Sequence, residues 1–204
     1  MYLLIPFILF LATSCAPLPK GDGTKSKSDP PLTKYQEAHA RFQEQPNHTT
    51  LIYQNSELLQ LLTPDNARIE VTLSALRAQI FVGDEVAIDT PVSPGKKSHP
   101  TPTGNFKIIG KDKDHRSSIY GTIYGLGGTW VASGDRRKHM VPSGGKYVGV
   151  KMPYWMRLTN TGIGLHVGHV PNYPASHGCV RLPSKIAPII YEKTRVGTPV
   201  TIKP

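Results

Sequence analysis

Cysteine is scarce in this chain, with only two in 204 residues, at positions 15 and 179. A fold stapled by several disulfides is therefore excluded. Acidic residues are also few: 14 Asp and Glu stand against 24 Lys and Arg, a net charge of +10 and a pI near 9.6. Such a balance suits an anionic surrounding, whether nucleic acid, lipid head groups or a carboxylate-rich polymer, and does not choose among them. Neither a basic helix nor an alternation of aromatic and basic residues is present, which argues against nucleic acid. Long apolar runs are missing as well. Tyr2 to Ala12 is uncharged and mostly apolar, too short to span a bilayer comfortably but the length of a signal-peptide core.

That run ends in Leu11-Ala12-Thr13-Ser14-Cys15, which resembles a bacterial lipobox. The expectation is a signal peptide over 1–14 and a lipidated Cys15 as the mature N-terminus, although no Lys or Arg precedes the run and Ala12 stands where leucine is commoner. Export to the cell envelope would leave Cys179 unpaired in an oxidising compartment, where a thiol is either buried and inert or kept for its reactivity. Residues 15–33, rich in Pro, Gly, Ser and Lys, read as a flexible tether.

Glycine and proline, 19 of each, point to turns and short strands rather than long helices. Over 34–66 a short helical segment is expected, as a spacer or packed on a domain edge. Tyr35 to Gln45 has helical composition, and Asn55 or Ser56 suits the cap of a second helix through Leu62. From Ile69 the apolar period becomes two, and Gly83-Asp84 joins two such runs as a type II′ hairpin would. Further strands are expected at 105–109, 129–132, 155–159, 162–167 and 198–202, and a helix over 184–193, bent or interrupted at Pro188. Residues 67–204 thus form a mainly β domain. Between Lys111 and Lys151 periodicity is weak, and a stretch that long reads as a lid or wall that brings Tyr120, Tyr124 and Trp130 to a substrate groove, with a solvated excursion as the plain alternative.

Ser176-His177-Gly178-Cys179-Val180-Arg181-Leu182 carries the chemistry. A thiol is only a few per cent ionised at neutral pH, so a nucleophilic cysteine needs a base. His177, two residues away, and His166, reaching across from a neighbouring strand, both suit that role. Gly178 frees the backbone to turn, making the Gly178 and Cys179 amides candidates for an oxyanion hole. Arg181 has the geometry to hold a substrate carboxylate, with a structural ion pair as the plain alternative. Tyr154 and Trp155 are candidate groove residues.

The segment from His166 to Leu182, with Thr101-Pro102-Thr103-Gly104 upstream, resembles the L,D-transpeptidase catalytic domain, called YkuD-type, over roughly 67–204. That resemblance implies a β-sandwich-like or barrel-like fold and a cysteine acyltransferase whose thioester passes to an amine or to water. It implies Cys179 as nucleophile, His166 as base held by the Val167 carbonyl, and Ser176, His177 and Gly178 in support. It also implies peptidoglycan stem peptides as partner and no cofactor. A monomer, anchored by lipid to the periplasmic face of a membrane, is expected. A non-catalytic peptidoglycan-binding lipoprotein would need neither Cys179 nor His166.

Two other patterns are weaker. His166, His169, His177 and Cys179 offer zinc-ligand atoms in a spacing that matches no common zinc site, so no metal is expected. Ser93-Pro94-Gly95-Lys96 and Ser143-Gly144-Gly145-Lys146 have the Ser-x-x-Lys form, but each carries glycine or proline where that motif needs a helix.

Overall fold

The computed structural model describes residues 31–204, so the expected signal peptide, Cys15 and most of the tether lie outside the described residues. The first elements are α1 (Lys34–Gln43), β1 (Tyr53–Gln54) and α2 (Ser56–Leu61). β2 (Ala67–Thr72), β3 (Arg77–Val82), β4 (Glu85–Pro91), β5 (Gly104–Lys107) and β6 (Gly110–Asp112) follow. Next come β7 (Arg116–Tyr124), β8 (Trp130–Asp135), β9 (Lys146–Lys151), β10 (Trp155–Arg157), β11 (Gly164–Val167) and β12 (Val180–Leu182). The chain closes with α3 (Ala187–Glu192) and β13 (Pro199–Lys203). The fold is mainly β, as expected.

Three sheets organise these strands. The largest has the order β1-β4-β3-β2-β13-β5, with β13 parallel to β2. Alternation in Ala67–Thr72 turns Ile69 and Val71 inward, where they meet Ile80, Ile88, Val200 and Ile202. The β3–β4 link is the two-residue hairpin; Gly83 has φ +58 while Asp84 does not, the pattern a II′ turn requires. A four-stranded sheet, β12-β11-β10-β6, places Met156, Leu165, Val180 and Leu182 in the same core.

The third sheet, β8-β7-β9, includes the strand expected at 129–132 as part of β8, while β7 and β9 occupy residues expected as an aperiodic loop. Glycines interrupt its pattern for packing reasons: a Cβ at Gly121 would lie 2.3 Å from the Val148 carbonyl, and one at Gly149 would lie 2.0 Å from that of Ser117. Pro188 likewise does not bend a helix. It falls in the first turn of α3, where a missing N–H costs nothing, and the helix begins at Ala187.

Residues 34–66 lie against β4 and the core. α1 starts at a capping box between Thr33 and Gln36, and α2 is capped by the Asn55 side chain, which accepts from the Leu58 amide at 3.0 Å. Leu58 and Leu62 are fully buried in the common core. A polar cluster fixes α1 to β3 and β4: buried Asp89 accepts from Arg77 Nε at 2.7 Å, from Gln79 at 3.0 Å, and pairs with His39 Nε2 at 2.8 Å. Burial alone would raise the Asp89 pKa, but hydrogen bonds from His39, Gln79 and Arg77 together with the guanidinium charge hold it below the usual carboxylate range. Arg77 also donates to the carbonyls of His48, Thr49 and Leu51. Asp89→Ala strands a buried guanidinium and is expected to cost about 3–5 kcal/mol, measured by urea unfolding. A loss below about 1 kcal/mol would show that the pair behaves as a solvated one.

Candidate active site

Parallel pairing of β11 with β12 sets Leu165 opposite Val180, His166 opposite Arg181 and Val167 opposite Leu182. Leu165, Val180 and Leu182 point into the core, so His166 and Arg181 share the opposite face. Cys179 lies two residues before Arg181 and joins that face, diagonal to His166. Strand spacing puts the two backbone positions about 8 Å apart, a gap that an imidazole and a thiol can close. Both side chains line one cavity of about 1110 Å³.

The turn before Cys179 is held from two sides. Ser176 Oγ donates to the Cys179 carbonyl and accepts from the Gly178 amide at 3.0 Å. Thr101, buried in the upstream Thr-Pro-Thr-Gly motif, donates to the Gly178 carbonyl at 2.8 Å and accepts from the Gly95 amide at 2.8 Å. Gly178 has φ +112, and a Cβ there would meet the Ile163 side chain at 2.7 Å, so only glycine suits the position. One expectation is corrected: the Gly178 amide is already engaged by Ser176. No acceptor among the described residues takes the Cys179 amide, which remains the candidate oxyanion donor.

His166 is 7% exposed, and its Nδ1 lies 2.7 Å from the Val167 carbonyl. A carbonyl only accepts, so Nδ1 carries the proton and Nε2 keeps a free lone pair. Burial lowers the His166 pKa to about 4; Arg181 and His115 push the same way and the Val167 hydrogen bond opposes them. Burial raises the pKa of the Cys179 thiol, against an amide contact from Gly164 and the charge of Arg181. Sγ also approaches the Gly162 carbonyl at 3.6 Å. At neutral pH both partners are uncharged.

Trp155 packs on His166 with ring centroids 5.9 Å apart, and His115 stacks on Trp155 at 4.9 Å. The Arg181 stem runs against Gly168, where a Cβ would come within 2.8 Å of it. Its guanidinium forms no ion pair among the described residues and faces the cavity. His177 is exposed and meets the His99 ring edge-on at 4.8 Å and the Tyr120 ring at a tilt at 4.5 Å. Burial, then Lys96, His99 and Arg181, lower its pKa.

Of the aromatics expected in the groove, Trp155 and Tyr120 line the cavity; Tyr154, Tyr124 and Trp130 do not. Tyr154, at φ +57, turns its ring onto Tyr191 at 5.5 Å and lies near Lys113. His166, His169, His177 and Cys179 all line the cavity, but among the described residues no three His, Cys, Asp or Glu side chains are placed to hold a metal. Sequence reasoning missed His115, 51 residues from His166; its one local signal is Asp112, whose carboxylate lies 3.1 Å from its Nδ1. A smaller cavity of about 470 Å³ shares Gly168 and His169 but neither Cys179 nor His166.

An L,D-transpeptidase from Mycobacterium smegmatis superposes with a TM-score of 0.53 at 22% identity, over 68% of this chain and 59% of that one. An L,D-transpeptidase from Stackebrandtia nassauensis gives 0.51 at 19% identity, over 84% and 67%. L,D-transpeptidase 3 from Mycobacterium tuberculosis, in complex with a faropenem-derived adduct, gives 0.50 at 19%, over 68% and 60%. These likenesses carry the fold, and this chain spans about three fifths of the length of the first of them. No curated protein matches the sequence. The profile of the L,D-transpeptidase catalytic domain, YkuD, matches residues 66–202, and the chain accordingly belongs to the YkuD family of L,D-transpeptidase catalytic domains.

Proposed function

We propose that the chain is a cysteine acyltransferase that remodels peptidoglycan stem peptides. The observation that carries this is the state of His166: its Nδ1 proton is committed to the Val167 carbonyl, so Nε2 is a neutral base in the cavity that also holds Cys179. Nε2 takes the thiol proton as Sγ bonds to the substrate carbonyl carbon. The developing oxyanion is met by the Cys179 amide. Collapse breaks the amide C–N bond, and the imidazolium returns its proton to the leaving amine, a terminal D-alanine in a tetrapeptide stem. The thioester then passes to an acceptor amine, forming a cross-link, or to water, trimming the stem or releasing a wall-bound protein. Arg181 is the group for a substrate carboxylate, and Trp155 the wall against which His166 is held. Cys15 as a lipid anchor, an envelope location and a monomeric state belong to the same proposal. Among the described residues no helix is long and apolar enough to cross a membrane.

Expected outcomes follow from these roles. Cys179→Ala abolishes turnover of a tetrapeptide stem, and imipenem adds its mass to the wild type but not to the variant. An intact-mass spectrum of the wild type without an adduct would count against Cys179 as the nucleophile. His166→Ala lowers kcat/KM by about 10²–10⁴, well beyond the loss in His177→Ala; the reverse order would move the base to His177.

The pH profile has a definite sign. Because burial holds the neutral form of His166 down to about pH 4, kcat/KM is expected to keep its value through pH 6.5 and 5 and to fall on an acid limb near 4. The unfolded chain protonates this histidine near 6.5, so its contribution to stability is lost as pH falls from there through 4. An acid limb at 6.5 in a protein still folded by circular dichroism would contradict a buried neutral base. Thr101→Val removes both hydrogen bonds on the cysteine turn, and kcat is expected to drop about 10²-fold with KM little changed. An unchanged kcat would leave Thr101 without a role in placing the thiol.

A further inference from the structure

The proposed reaction gives no role to His115, which lines the cavity together with His166 and Cys179. Its ring is stacked on the Trp155 indole, with centroids 4.9 Å apart and planes 11° from parallel. The indole in turn meets His166 at 5.9 Å, and its six-membered ring rests on Gly164, where a Cβ would lie 2.8 Å from it. Gly164 and His166 are two residues apart on β11 and share a face, so one indole fills the space beside the imidazole along that strand. We infer that His115 is a positioning residue of the acyl transfer: stacked on Trp155, it holds the indole against Gly164 and His166 and so fixes the direction of the imidazole toward Cys179. This rests on His166 being the base.

His115 is itself held in place. Trp155 pairs with Asp112 across β10 and β6, and the chain on either side stays zipped: the Tyr154 amide donates to the Lys113 carbonyl at 3.0 Å and the Met152 amide to the His115 carbonyl at 2.8 Å. The Asp112 carboxylate orders the turn between them, accepting from the Asp114 amide at 3.1 Å through Oδ1 and from His115 Nδ1 at 3.1 Å through Oδ2. That second bond restrains rotation of the His115 ring. Trp155 is 4% exposed and the His115 side chain 30%, so the more exposed ring covers a face of the buried one. Stacked flat rings fix an orientation that an aliphatic cover would leave loose. His166 needs such support, because the Val167 carbonyl restrains its Nδ1 while leaving the ring free to tilt about that bond. The other partner is reached as well, since the Gly164 amide contacts the Cys179 thiol. A shift of about 1 Å in a reacting group can cost about 10²-fold in rate.

The test measures kcat and KM for a tetrapeptide stem with the full chain, per thiol that takes imipenem at the end point of an intact-mass titration. Counting only those thiols removes unfolded protein, so a residue that merely stabilised the fold would leave this kcat unmoved. His115→Ala is expected to lower kcat about tenfold or more with KM within about twofold. His115→Phe, which keeps a flat ring on the indole without the nitrogen atoms, is expected to recover most of the rate. Asp112→Ala, in which the ring is kept but not held, is expected to lose less than His115→Ala, and the double variant no more than His115→Ala alone. The inference is overturned by an unchanged kcat in His115→Ala or, where that variant does not fold, in Asp112→Ala. It is also overturned by additive losses in the double variant, or by a loss confined to KM, which would make His115 a substrate contact. A loss in His115→Phe equal to that in His115→Ala overturns it too, by giving the role to the nitrogen atoms. A wild type that neither takes imipenem nor turns over the stem overturns this inference together with the roles of Cys179 and His166. An active wild type with an indifferent His115 overturns this inference alone.

Discussion

The parallel pairing of two short strands, β11 and β12, is the constraint on which the site depends. Neither strand is long enough to be stable alone. Leu165, Val180 and Leu182 hold the pair by burial against the main sheet, and the strict alternation of a strand then forces His166, Arg181 and the residue before β12 onto the other side. A one-residue slip would place His166 in the core and a leucine in the cavity. The apolar face therefore sets the register of the candidate site, which depends on the core without touching it.

Backbone carbonyls and hydroxyls do the work that a carboxylate does in other triads. Val167 fixes the tautomer of His166 at no cost in buried charge, and Ser176 and Thr101 fix the cysteine turn with neutral hydrogen bonds. Burial then keeps both the imidazole and the thiol uncharged at neutral pH. An ion pair waiting in the cavity would have to be desolvated before substrate arrives. In the proposed mechanism charge separates only as the thiol attacks, when the carbonyl oxygen receives it beside the Cys179 amide.

What was legible in the sequence had a local cause. The Ser-His-Gly-Cys turn is readable because its glycine and serine are required within three residues, and the β2–β4 meander because each strand buries one face and repeats every two residues. In the sheet from Arg116 to Lys151 only the strand near 129–132 was, because the other strands bury little and the glycines answer to close contacts with other strands, such as Gly149 against Ser117. Tyr154 misled for a similar reason: its neighbour Trp155 does line the cavity, but a positive φ at Tyr154 sends its ring toward Tyr191. The engagement of the Gly178 amide depends on where Ser176 Oγ points, and that follows from Ser176 being bridged to Gly95 and held by the Pro94 carbonyl.

That bridge shows how the cavity is tied to residues far upstream. The turn carrying Cys179 is clamped by residues 93–101, which continue directly from β4: Ser93 pairs with Arg181 through both backbone groups, and Gly95 approaches Gly178 so closely that a Cβ would lie 2.9 Å from its Cα. β4 is in turn the strand that carries Asp89 and receives α1 and β1. The N-terminal helices thus bear on the same strand that positions the thiol. Packing at α1 bears on the segment that holds Cys179 through β4, with Arg77 of β3 bound into the same cluster. Placement of the cysteine is therefore coupled to segments that the family profile, beginning at residue 66, does not include.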